Sequence, residues 1–154
     1  MTGGTFAFTG TRQGMTDQQL NRLGKLLLEL RPTHMNNGDC VGADAEAQDL
    51  CAMLSFGPTI KLYPAFECGH PLRWGQFCCP NKGGPYRHEK VVYINRILKP
   101  LTRNKVMVDS AQYTIACPAE AHEVLRSGTW STIRYTRKVG KRLYLIHPDG
   151  SIHQ

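Results

Sequence analysis

The sequence predicts an α/β domain built on a mostly parallel sheet, and three observations carry that prediction. Short apolar runs rich in β-branched and aromatic residues alternate with longer stretches whose apolar positions recur at helical spacing. The early strand-like runs lead into glycine-containing loops and then into helix start signals, the order that right-handed crossovers between parallel strands require. The length of 154 residues, with 41% hydrophobic and 20% charged residues, fits one ordinary globular domain spanning residues 1–154. That composition excludes disorder, collagen-like repeats and a coiled coil.

Taken in chain order, Thr5-Phe6-Ala7-Phe8-Thr9 is a short buried strand that stops at Gly10. A helix begins at Thr16, whose hydroxyl can cap it while Gln19 completes a capping box and Met15 and Leu20 are spaced as a hydrophobic staple. Leu20, Leu23, Leu27 and Leu30 share one face, and Pro32 ends the helix. The unit then repeats. His34 to Asn37 is a weaker strand, Gly38 to Gly42 a loop, and Ala47, Leu50, Cys51 and Leu54 mark a helix closed by Gly57-Pro58. Thr59 to Tyr63, Gln112 to Cys117 and Arg142 to Ile146 are three further strands, the last two joined by a helix from about Trp130 to Val139. Val91, Ile94 and Leu98 have helical spacing, which predicts helix over Arg87 to Asp109 with a break at Pro100.

One stretch breaks the rhythm. Residues 64–86 carry glycines and prolines without apolar periodicity, and an irregular insertion of that length in a compact domain usually serves function. Its Trp74, Phe77 and Tyr86 can stack on a base as a lid or tuck into the core. Cys68, His70, Cys78 and Cys79 have poor spacing for zinc, so no metal is expected.

No apolar run reaches the ~18 residues of a membrane span, and no basic-then-apolar leader opens the sequence. A cytoplasmic protein with reduced thiols is therefore expected, without a membrane partner. The net charge of +7 favours an anionic partner, such as nucleic acid, a nucleotide or a phosphorylated metabolite, or serves solubility alone.

In a parallel α/β sheet, ligands bind beyond the carboxyl ends of the strands. Three loops there have phosphate-binding chemistry: Thr9 to Gly14, Gly38 to Asp44, and Arg126 to Thr132. Glycine lets a phosphate approach backbone, helix N-termini present free N–H groups, and hydroxyls and arginine add donors. No Gly-Lys-Ser/Thr of a P-loop occurs, nor a Gly-x-Gly-x-x-Gly after the first strand.

Phe8-Thr9-Gly10-Thr11-Arg12, the run Asn37-Gly38-Asp39-Cys40-Val41-Gly42-Ala43-Asp44-Ala45, and Arg126-Ser127-Gly128-Thr129-Trp130-Ser131-Thr132-Ile133-Arg134-Tyr135 resemble the three signature loops of the SLOG superfamily. That superfamily holds the DNA-processing protein A group, the Lonely Guy phosphoribohydrolases and nucleotide-sensing domains of anti-phage systems such as the cyclic ADP-ribose sensor of Thoeris. The resemblance implies a Rossmann-like three-layer domain with a pocket for a nucleotide-derived ligand. In it Gly10, Thr11 and Arg12 would take one phosphate, Ser127, Gly128 and Thr129 another, with Gly38, Asp39 and Arg126 completing the site and Asp39 accepting from a ribose. The phosphoribohydrolases place a Glu three residues after their Gly-Thr; Thr132 stands there in this chain, so binding without turnover, and no catalytic residue, is expected.

By the same resemblance the chain would be a free-standing sponge or sensor of a cyclic ADP-ribose-type or cyclic-nucleotide signal in phage–bacteria immunity, since no effector is attached. The expected partners are that small ligand and further copies of the chain, with no cofactor. The alternatives are a nucleotide N-glycosidase and a single-stranded DNA-binding module.

Two readings stay open for several residues. Asp39 and Asp44 are each an acid–base or ribose-binding carboxyl or a structural one, for Asp44 an ordinary helix cap. Arg126, Arg134, Arg137, Lys138, Lys141 and Arg142 form a basic cluster that is an anion-binding rim or a solvated helix face, with Arg126 assigned to the pocket because it enters the loop itself.

Overall fold

The computed structural model describes residues 3–63, 65, 91–93 and 98–154. They form seven strands and four helices: β1 (Thr5–Gly10), α1 (Asp17–Leu30), β2 (His34–Asn37), α2 (Ala43–Met53), β3 (Thr59–Leu62), β4 (Val91–Tyr93), α3 (Pro100–Asp109), β5 (Tyr113–Cys117), α4 (Gly128–Lys138), β6 (Arg142–Ile146) and β7 (Ile152–His153). The sheet order is β4-β3-β2-β1-β5-β6-β7. The first six pair in parallel, and β7 returns antiparallel on β6. This is the expected Rossmann-like α/β arrangement.

Alternation along the central strands explains the three layers. Phe6 and Phe8 face one way and pack with Leu23 and Leu27 of α1 and Ala47 and Cys51 of α2. Ala7, between them, faces the other way, onto Met107 and Val108 of α3. Likewise Ile115 joins the α1–α2 side, whereas Ala116 packs with Trp130 and Ile133 of α4. Residues two apart share a face, so buried strands with apolar residues at every position must be covered on both sides.

α1 begins as its sequence predicts. Thr16 Oγ1 accepts from the Gln19 N–H at 3.1 Å, and Gln19 Oε1 accepts from the Thr16 N–H at 3.1 Å. Gln19 also spends its side-chain amide on Pro118 O at 2.8 Å and Ile146 O at 3.0 Å, tying the start of α1 to the carboxyl ends of β5 and β6. These bonds fix the sheet edge at which the site lies.

Three details correct the sequence reading. The helix expected over Arg87 to Asp109 holds from Pro100 to Asp109, but Val91–Tyr93 is a strand with Ile60 opposite Val91. A Val-Val-Tyr run is a strong strand former, and a neighbouring edge at β3 decides what three apolar positions with ambiguous spacing become. Pro100 starts α3 rather than breaking a longer helix, since the first helical position needs no N–H. Met53 ends α2, several residues before Gly57.

The insertion expected at 64–86, with its aromatic lid residues Trp74, Phe77 and Tyr86 and with Cys68, His70, Cys78 and Cys79, lies outside the described residues except for Ala65. Among the described residues no helix is long and apolar enough to cross a membrane.

Candidate functional site

β1 lies between β2 and β5, so the chain leaves β1 toward one side of the sheet and leaves β5 toward the other. The loops diverge there and open a crevice at the carboxyl edge, the usual ligand position in open α/β sheets. A cavity of about 280 Å³ occupies it, and of the nine residues expected to bind ligand, eight line it: Gly10, Thr11, Arg12, Gly38, Arg126, Ser127, Gly128 and Thr129. Asp39 is the ninth and does not.

The β1–α1 loop is locked by backbone bonds. Thr11 N–H donates to Cys117 O at 3.1 Å, and Thr11 O accepts from Ala43 N–H at 2.9 Å. Gly10 is required here, because a Cβ would sit 2.5 Å from the Ala43 Cβ. The loop is thereby clamped between β5 and the start of α2, leaving Arg12 exposed at the cavity rim.

The β2–α2 loop turns its polar groups inward. Asp39 sits in the left-handed region (φ 55°), is buried, and its Oδ1 accepts from Gln48 Nε2 at 3.0 Å. Its own N–H donates to Asn37 Oδ1 at 2.7 Å. That local turn sets one carboxylate oxygen against Gln48 of α2, and Asp39 does not line the cavity.

Asp44 instead reaches the cavity wall. It is not a helix cap: Gly42 holds the cap position with no side-chain bond, and Asp44 Oδ2 accepts from the Cys40 N–H at 3.1 Å. Burial pushes the Asp44 carboxyl well above the ordinary carboxylate range. The Cys40 thiol adds to that rise, while the Arg103 guanidinium and the Cys40 N–H pull against it.

Arg103 of α3 enters the same cavity and was not anticipated. It is 4% exposed; its Nη1 donates to Gly38 O at 2.8 Å and Tyr63 O at 2.9 Å, and its Nε to Asn104 Oδ1 at 2.7 Å. Its Nη2 lies 3.7 Å from Cys40 Sγ. Among the described residues the oxygens that accept from it are neutral, and the Asp44 carboxyl is near enough to feel its charge; a buried guanidinium held mainly by neutral acceptors retains attraction for an anion. The signal available in the sequence was the spacing of Arg103 and Met107, which places an arginine on the helix face that also carries a core residue.

The β5–α4 loop supplies the opposite wall. Ser127 caps α4, its Oγ accepting from the Trp130 N–H at 3.2 Å. The first turn of a helix has N–H groups with no intrahelical acceptor, and Gly128 and Thr129 stand at that turn on the cavity lining. A Cβ on Gly128 would meet nothing within 4 Å. Arg126 also lines the cavity, but the rest of the basic cluster does not join it. Arg134 donates to Val124 O and Leu125 O and pairs with Glu123 at 4.0 Å, and Lys141 Nζ donates to three carbonyls at the end of α3. Arg137 and Lys138 are exposed in the last turn of α4, where cations are favoured.

Among the described residues the cavity therefore presents three guanidiniums and a helix N-terminus against two carboxyls, Asp44 and Glu120.

No protein-family model and no curated protein matches the sequence. Among solved structures the chain is similar to the molybdenum cofactor binding protein from the phototrophic bacterium Rippkaea orientalis. The two are 19% identical, with a TM-score of 0.60, over 96% of this chain and 78% of that one. At that identity the likeness is one of fold.

Proposed function

We propose that this chain binds a small, phosphate-bearing nucleotide-derived ligand in the crevice between β1 and β5. The observation that carries the reading is the convergence of the Gly10–Arg12 loop, the N-terminus of α4 and the buried Arg103 on one cavity. Phosphate is the group that fits such a set: it accepts from backbone N–H groups at a helix start and from guanidinium forks. Gly10, Thr11 and Arg12 take one phosphate; Ser127, Gly128 and Thr129 take another, with Gly38, Arg103 and Arg126 completing the seat. Asp39 is left out of the contact set and holds the β2–α2 loop instead. The structural neighbour is by name a cofactor-binding protein, which supports small-ligand binding on this fold.

Within that class, the resemblance to the SLOG superfamily favours a cyclic ADP-ribose-type or cyclic-nucleotide signal, held by a sponge or sensor in phage–bacteria signalling. Binding without turnover is supported at Thr132, which occupies the position of the phosphoribohydrolase Glu. Its hydroxyl donates to Gly128 O at 2.9 Å and cannot ionise at neutral pH. The second reading, an N-glycosidase, draws on Glu120, a carboxylate in the cavity wall.

Native mass spectrometry of the purified protein, followed by titration with ADP-ribose, cyclic ADP-ribose and cyclic AMP, tests the reading. A retained mass of nucleotide size, displaced by one of these and released unchanged after denaturation, is the expected result; the same spectra read the oligomeric state. Arg12→Ala should weaken binding about ten- to a hundredfold, the worth of a charged hydrogen bond, with an unchanged melting temperature. Free base and ribose phosphate formed catalytically would favour the glycosidase.

A further inference from the structure

Asp39, the ribose acceptor expected from the sequence, does not line the cavity, whereas Glu120 and Asp44 do. We propose that Glu120 reads the ribose hydroxyls of the ligand, making the site selective for ribo- over deoxyribonucleotides. This rests on the nucleotide-binding reading above and names the sugar that reading leaves open.

Three observations carry it. Glu120 lies just past the carboxyl end of β5, at the crevice, and lines the same cavity as the two phosphate seats. Its Oε2 accepts from the Trp130 Nε1–H at 3.1 Å. Trp130 is 3% exposed and packed among Ile133, Leu143 and Leu145, so the donor is held by the core. One carboxylate oxygen is thus pinned by a rigid indole, and among the described residues none donates a hydrogen bond to Oε1.

Chemistry supplies the rest. A carboxylate can only accept, so the group it suits is a donor, and vicinal sugar hydroxyls are the donors a nucleotide carries beside its phosphates. The other carboxyl in the wall is unsuited to this task. Asp44 is buried beside Arg103 and held toward its protonated form, so it meets an anionic oxygen better than a hydroxyl. A site built to bond a hydroxyl rejects the analogue that lacks it, because the buried partner is left unpaired. Trp130 is then a positioning residue acting through Glu120.

Calorimetric titration of the whole protein with AMP and with 2′-deoxy-AMP tests this on the wild type, Glu120→Gln, Trp130→Phe and Arg12→Ala. The wild type should hold AMP about tenfold or more tighter than the deoxy form, the effect of one hydrogen bond to a charged group. Glu120→Gln should bind both nucleotides alike, at the wild-type level for 2′-deoxy-AMP. Trp130→Phe keeps the carboxylate but frees it, so it should narrow the preference while leaving 2′-deoxy-AMP affinity unchanged. Arg12→Ala should weaken both nucleotides equally and keep their ratio. Equal affinities in the wild type, or a preference that survives in Glu120→Gln, overturns the ribose assignment; if Arg12→Ala still loses both nucleotides, the phosphate seats stand. A wild type that takes up neither nucleotide overturns both.

Discussion

Two glycine-containing loops at the same sheet edge, the one before α2 and the one before α4, are built for opposite ends. In the first, most of the special features also serve internal contacts, even though Gly38 and Asp44 line the cavity. Gly42 has φ +81°, and a Cβ there would lie 2.4 Å from Arg12 O; Asp39 bonds Gln48, and Asp44 bonds the Cys40 N–H. In the second, Ser127 satisfies one N–H of α4 and Gly128 faces open space. The two glycines differ in the volume beside them, which is empty at Gly128 and filled by backbone at Gly42. Where backbone already fills that volume, the glycine is a clasp.

The comparison breaks most sharply at Gly42. Gly42→Val puts a β-branched residue at positive φ and drives its Cβ into the β1–α1 loop backbone. Strain and overlap together should cost roughly 3 kcal/mol or more, read as a lower midpoint in urea unfolding. A variant as stable as the wild type would mean the two loops are not clasped.

Arg103→Met should come next. Removing the guanidinium strips donors from Gly38 O and Tyr63 O, and each buried carbonyl left unpaired costs about 1–3 kcal/mol. The midpoint should fall, and nucleotide binding should be lost with it. Loss of binding at unchanged stability would show that Arg103 serves the ligand alone and does not also brace the loop.

The effect at Asp44 is smaller and depends on pH. Its carboxyl titrates above the ordinary range when folded, so the native state binds more protons than the unfolded chain between the ordinary value and the raised one. Wild-type stability relative to Asp44→Asn should therefore be greatest below that window. It should decline as pH rises through it to the folded-state value, and chemical unfolding at several pH values measures the difference. A difference that stays constant with pH would mean that Asp44 is ionised like an exposed carboxylate.

Much of this architecture was legible because it depends on local chemistry. The Thr16–Gln19 capping box, the leucine face of α1 and the glycine–threonine loops state themselves over a few residues. Eight of nine expected ligand residues line one cavity for the same reason: loops at the ends of parallel strands must meet at one edge. What stayed hidden depends on tertiary context. β4 and β7 are three and two residues long, too short for any period, and exist because an edge was waiting for them. Asp39 was misdirected by a left-handed turn that only the position of Gln48 explains. Arg103 is buried by the packing of α3 on β1 and the β2 loop, and its spacing with Met107 is the one local hint of that.

The most direct test of the account is Gly128→Val, with melting temperature and ADP-ribose titration measured on the same sample. Gly128 is the first residue of α4, and a Cβ there would meet no atom of another part of the protein within 4 Å. The fold should therefore persist with a melting temperature close to that of the wild type. Binding should be abolished, because the new side chain fills the space in which a phosphate approaches the N–H groups of the helix start. A folded Gly128→Val protein that binds ADP-ribose as tightly as the wild type would contradict the claim that the open end of α4 is the ligand's seat.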